Sequence, residues 1–166
     1  MVGLGLLMAG MAFGLESGTR APDFTVKSGD NHEIARAALK GKTVALLYET
    51  RDMIEQNRPL KKALVKLFDQ NPMLKAACVV LPVINCSSAR WPITKIWQNN
   101  LCEHSRLEAR AIYGDWDGRM ASDYGMQADS SNVVVIDRAG TIRFFRSGAL
   151  TPAELEAVIA LLTSTP

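Results

Sequence analysis

The chain has 166 residues, of which 48% are hydrophobic and 22% charged, with a formal net charge of +2. These proportions suit one globular domain that buries about two-thirds of its unfolded surface, and they exclude a disordered or low-complexity chain. So small and dispersed a charge argues against nucleic acid as a partner. Cys78, Cys86 and Cys102 show no C-x-x-C spacing, so neither a zinc site nor a disulfide framework is indicated, and at most one disulfide could form.

Val2 to Leu15 is almost wholly apolar, too short to cross a bilayer comfortably and weakened as a buried helix by Gly3, Gly5, Gly10 and Gly14. Its length suits the hydrophobic region of a signal peptide, with Ala12-Phe13-Gly14 as a small-x-small cleavage site, although no Lys or Arg precedes it. An N-terminal core helix is the other reading. We divide the chain into a leader over residues 1–17 and one domain over 18–166, which leaves no membrane span after cleavage.

Pro22 keeps Gly18 to Val26 extended, and Gly29-Asp30-Asn31 predicts a turn. Glu33 to Leu39 is expected to form a short helix ending at Gly41. Thr43 to Tyr48 is a strand buried on both faces, and Leu60, Leu64, Leu67 and Phe68 give the following helix an apolar stripe. Ala76 to Asn85 is a second buried strand, whose Pro82 requires an edge or a bulge. Strand, helix and strand make a parallel βαβ unit, so Asn85-Cys86-Ser87-Ser88 lies at a carboxyl edge, where open α/β sheets place their sites.

Pro92 to His104 reads as a helix, Ala109 to Gly114 as a short strand, and Arg119 to Tyr124 as one or two helical turns. Asn132 to Asp137 and Thr141 to Arg146 form a hairpin across Arg138-Ala139-Gly140. Thr151-Pro152-Ala153-Glu154 is a capping box opening the last helix.

This order of elements resembles a thioredoxin-like fold, an α/β three-layer sandwich with a mixed four- to five-stranded sheet and helices on both faces. Ala21-Pro22-Asp23-Phe24, followed by Gly41-Lys42 and a buried strand, resembles the opening of the peroxiredoxin and redoxin families. Asp129 to Gly140, followed by Gly148-Ala149-Leu150-Thr151-Pro152-Ala153-Glu154-Leu155, resembles the YtfJ-type family of exported bacterial proteins. The likeness extends back through Asp115-x-x-Gly118 and more loosely to Gly41. It implies a periplasmic protein with a thioredoxin-like core, and carries no established reaction.

Thiol redox folds keep a reactive cysteine where a central strand enters a long helix, because the helix dipole and free amides lower its pKa. No cysteine lies between Glu49 and Phe68. In the catalytic thioredoxin-like proteins that the fold resembles, the loop before the penultimate strand holds a cis-proline facing that cysteine, but counting back from Asp137 puts Ser131 there, and the YtfJ-type pattern also carries a Ser-Ser pair. Both parts of the redox motif are therefore missing from their expected places.

The candidate binding residues are Glu49, Thr50, Arg51, Asp52, Asn57, Asn85, Ser130 and Ser131, on three loops of one edge. Glu49 and Asp52 could pair as acid and base, or Thr50 or Asp52 could simply cap the helix. Helix amides with Arg51 and Arg58 would favour an anion or a peptide carboxylate. The thiol alternative is peroxide reduction or thiol-disulfide exchange by Cys86, with Cys102 as resolving cysteine, and it requires an exposed Cys86 of lowered pKa. Cys78 reads as a small core residue.

Cys102-x-His104 lacks further metal ligands, and Asp115-Trp116-Asp117-Gly118 reads as a turn, not a calcium loop. Trp91 and Trp116 are the tryptophans expected on the surface. No cofactor is indicated, and the leading expectation is a non-redox binding module with a protein or peptide partner in the cell envelope.

Overall fold

In the computed structural model, which describes residues 15–164, β1 (Thr25–Ser28) folds back onto β2 (Glu33–Ala35). The helix expected over Glu33 to Leu39 is therefore a strand for its first three residues and a 3-10 turn, Arg36–Leu39, for the rest. Asn31 takes a positive φ of 66°, and the Ser28 N–H bonds to the His32 carbonyl at 2.9 Å. That tight reversal sets Ile34 opposite Val26, and strand pairing overrides a weak helical pattern.

Next come β3 (Thr43–Glu49), a 3-10 turn over Arg51–Met53, and α1 (Arg58–Gln70). α2 (Pro72–Ala77) takes Ala76 and Ala77 from the expected strand, so β4 is Cys78–Asn85. After α3 (Ile93–Leu107) come β5 (Tyr113–Asp115) and α4 (Arg119–Asp123). The hairpin of β6 (Asn132–Ile136) and β7 (Ile142–Ser147) leads to α5 (Pro152–Thr163), whose Thr151 and Glu154 close the capping box.

The strands make one sheet, β2-β1-β5-β4-β3-β6-β7, seven strands where four or five were expected. The N-terminal hairpin and β5 extend one side. β3 runs parallel to β4 and antiparallel to β6, and all seven of its residues are buried. Alternation sends Val44, Leu46 and Tyr48 to the core that includes Phe24, Met120 and Tyr124. Ala45 and Leu47 go to the opposite core, with Leu60, Leu64 and Phe68 of α1 and Val158 and Leu162 of α5. Pro82 sits opposite Leu47, but β5 pairs only with Val83 to Asn85, so β4 has a strand on one side only at Pro82. This local edge is why an interior strand tolerates proline.

α1 and α3 cover the same face of the sheet. Leu101 packs on Ile84, Cys86 and Ile112, while α1 packs on Ala45, Leu47 and Val80. Among the described residues no helix is long and apolar enough to cross a membrane. The leader expected over residues 1–17, with its cleavage site at Ala12-Phe13-Gly14, lies outside the described residues as far as residue 14.

Candidate functional site

The last residue of β3, Glu49, points by strand alternation to the α1 side and is only 2% exposed. A carboxylate there needs partners, and it has two. Lys61 Nζ lies 2.6 Å from Oε2, and the Ser131 hydroxyl donates to Oε1 at 2.9 Å. Lys61 also donates to the Ile54 carbonyl at 2.6 Å. Asn57 extends the network. Its Nδ2 donates to Ser131 Oγ and to the Gly148 carbonyl, both at 3.0 Å, and its Oδ1 accepts the Leu150 N–H at 2.9 Å. The Ser131 N–H donates to Gln56 Oε1 at 2.7 Å.

Burial pushes the Glu49 carboxyl above its ordinary value, while the Lys61 ammonium and the Ser131 hydroxyl pull it back. Ser131 itself is fully buried and already bonded as donor and acceptor. In this arrangement it ties β3, α1 and β6 together and meets no solvent.

Three of the expected residues, Glu49, Asn57 and Ser131, thus meet in one buried cluster. Thr50, Arg51 and Asp52 form the turn beside it, with Arg51 and Asp52 exposed and the Arg51 guanidinium 6.0 Å from the Trp97 ring centre. Neither Thr50 nor Asp52 caps α1, which starts at Arg58 after Asn57 with no side-chain cap. Asn85 folds its Oδ1 onto the Ser87 N–H and hydroxyl, and the Ser130 carbonyl accepts from Asn132. Arg58 is paired with Glu55 at 3.0 Å.

Lys61 is the member of the cluster that sequence reasoning did not place there. The signal was the recurrence of Asn57, Lys61, Leu64 and Phe68 at helical spacing, which puts a lysine on the inward stripe.

Cys86 is fully buried between α3 and the sheet, and burial reinforced by the nearby Asp115 carboxylate pushes its thiol up to about 12. Cys102 is half-buried and free. Asp115, also buried, accepts from the Tyr48 hydroxyl and from the Gly118 and Ala121 N–H groups, each at 3.0 Å. Trp116 is half-buried where an exposed residue was expected. Its indole N–H bonds to the Lys27 carbonyl at 3.0 Å and its ring lies against Gly114, whereas Trp91 is 88% exposed.

From this cluster a groove of about 870 Å³ runs between α1 and α3. Leu47, Pro82, Ile84 and Ile112 lie beneath it, and Glu49, Arg51 and Cys86 are at one end.

The central strand that feeds a helix, the sheet order and the closing hairpin and helix define a thioredoxin-like α/β protein. A candidate thiol:disulfide interchange protein DsbE from Chlorobium tepidum superposes with a TM-score of 0.65 at 18% identity, over 90% of this chain and 97% of that one. A thiol peroxidase from Chromobacterium violaceum gives 0.60 at 15% identity, over 90% and 87% of the two chains. The exposed lipoprotein thioredoxin of Streptococcus pneumoniae gives 0.58 at 19% identity, over 86% and 98%. At these identities the likeness shows the fold alone. Residues 31–165 match the family described as bacterial protein of unknown function, YtfJ_HI0045, and the chain belongs to that family. No curated protein sequence is similar enough to count as a relative.

Proposed function

We propose that this chain is a non-redox binding module of the bacterial cell envelope that engages a protein or peptide partner. The surface it uses is the loop edge of the Glu49 to Asn57 turn, the Asn85 to Ser88 loop and the Ser130-Ser131 loop, through solvent-facing residues such as Arg51, Asp52, Glu55 and Ser88, with the buried Glu49, Asn57 and Ser131 holding the edge together from beneath. The observation that carries this reading is the closed network of Glu49, Lys61, Ser131 and Asn57, which fills the strand-to-helix junction with hydrogen-bonded polar groups and no thiol. Envelope residence is supported by the resemblance of Asp129 to Gly140 and Gly148 to Leu155 to a family of exported bacterial proteins, and by an exposed lipoprotein among the structural neighbours.

The competing thiol reading needs an exposed, acidified Cys86. Burial and a thiol raised to about 12 weigh against it, because the thiolate is the nucleophile. The test is the alkylation rate of each cysteine in the folded protein across pH, read by mass spectrometry before and after peroxide. We expect Cys86 and Cys78 to label only on unfolding, and Cys102 to label at a rate that peroxide does not change. Rapid labelling of Cys86 near neutral pH, lost after peroxide, would overturn the non-redox reading.

A further inference from the structure

We infer that the groove between α1 and α3 binds a single-chain amphipathic carboxylate, its alkyl chain lying along the crevice and its carboxylate meeting Lys62 and Lys66. This goes beyond the loop-edge reading, naming a different site and a small-molecule ligand class.

The shape of the groove selects the ligand. Leu47, Ile84, Leu101 and Ile112 line its floor and are each no more than 9% exposed, while Val65 on its wall is 45% exposed, so the apolar surface open to a ligand lies along the walls. An extended peptide laid along the groove would meet β4 side chains and no open strand edge, so its N–H and C=O groups would lack backbone partners there. An alkyl chain has no such groups and gains from every apolar contact. The volume of about 870 Å³ lies within the range of small-molecule sites.

Charge selects the head group. Among the lining residues Glu49 is held by Lys61 and Glu55 by Arg58. Of the other ionised lining groups, Arg51, Lys62, Lys66 and Arg110 are cationic, and only Asp69 and Glu108 are anionic. Lys62 and Lys66 share the α1 wall with Val65, which is 45% exposed, so ammonium groups and an apolar surface face the groove together. The opposite wall offers Trp97, Asn100 and His104, with Ile93 and Ile96 exposed beyond them on the same helix. Lysine stems cover alkyl chains well while their ammonium groups stay in water.

The experiment is isothermal titration of the intact protein with decanoate, decanol and decyltrimethylammonium, each below its aggregation concentration. Decanoate should bind saturably at one site, decanol should bind more weakly, and the cation should not saturate. Val65→Glu, at an exposed position, should weaken decanoate by at least about tenfold, and Lys62→Glu with Lys66→Glu should do the same. Should Val65→Glu disturb folding, the lysine pair, exposed at the groove rim, decides. No saturable decanoate binding, equal binding of the cation, or indifference to these substitutions would overturn the proposal. The cysteine-labelling result stands or falls separately, so a failed titration removes this ligand class without touching the non-redox reading.

Discussion

Ser131 and Glu49 stand 82 residues apart in the chain and share a 2.9 Å hydrogen bond, hydroxyl to carboxylate, at a point where both are buried. Lys61 holds the second carboxylate oxygen from α1. The junction between strand and helix is thus a polar rivet made of one charge pair and two neutral side chains, and its energetics are unequal on the two sides of the pair.

Breaking a buried ion pair from one side leaves an uncompensated charge, whereas removing the more deeply buried charge does not. Lys61→Met should therefore cost about 2–3 kcal/mol, less than a fully enclosed pair because the lysine side chain is 28% exposed. Glu49→Gln should stay within about 1 kcal/mol of the parent, since the amide oxygen still accepts from Ser131 and Lys61 can turn to water. Urea midpoints near neutral pH compare the two, and equal losses would contradict this account.

The same pair makes a pH prediction. Burial raises the Glu49 pKa, so the folded state holds that proton more tightly than the unfolded chain. A group of this kind favours folding fully below its unfolded pKa, and that contribution is lost as pH rises through the folded value. Lys61→Met removes an opposing influence and drives the folded pKa higher. The deficit of the variant should therefore shrink as pH falls from neutral, levelling off at the smaller cost of the lost Ile54 carbonyl bond once Glu49 is protonated in both proteins. Denaturation curves of parent and variant at a series of pH values read this directly, and a constant deficit would mean that the substitution breaks something other than the pair.

Asn57 joins three segments, bonding Ser131, the Gly148 carbonyl and the Leu150 N–H from a side chain that is almost wholly buried. Asn57→Ala leaves these groups without their partner and should cost about 2–3 kcal/mol. Hydrogen exchange at Leu150 should accelerate more than exchange in the middle of β3, because the loss is local.

Gly114 faces Trp116 and Cys86. A Cβ added there would come within 2.7 Å of the indole ring and 3.0 Å of Cys86 Sγ. Gly114→Ala should cost about 1–3 kcal/mol by overpacking. It should also shift the tryptophan emission, because the ring must move off β5 and its bond to Lys27. Unchanged emission and stability would show that this corner has room to spare.

Much of the fold was legible because its signals are local. The apolar run at Thr43 to Tyr48, the stripe Leu60, Leu64 and Phe68, the β6 and β7 hairpin and the Thr151 capping box each declare themselves within a few residues, through side-chain periodicity and backbone satisfaction. The missing thiol at the head of α1 is equally a matter of sequence. Other features depended on what each segment meets across the sheet. Ile34 became a strand residue by pairing with Val26, and Trp116 is half-covered because Gly114 leaves room for its ring. Lys61 found Glu49 only when α1 folded back over β3, and the groove exists because α1 and α3 lie on one face with β4 beneath them. Registry and crossing of distant segments are set by the whole core at once, so tertiary structure alone decided the partners of Glu49.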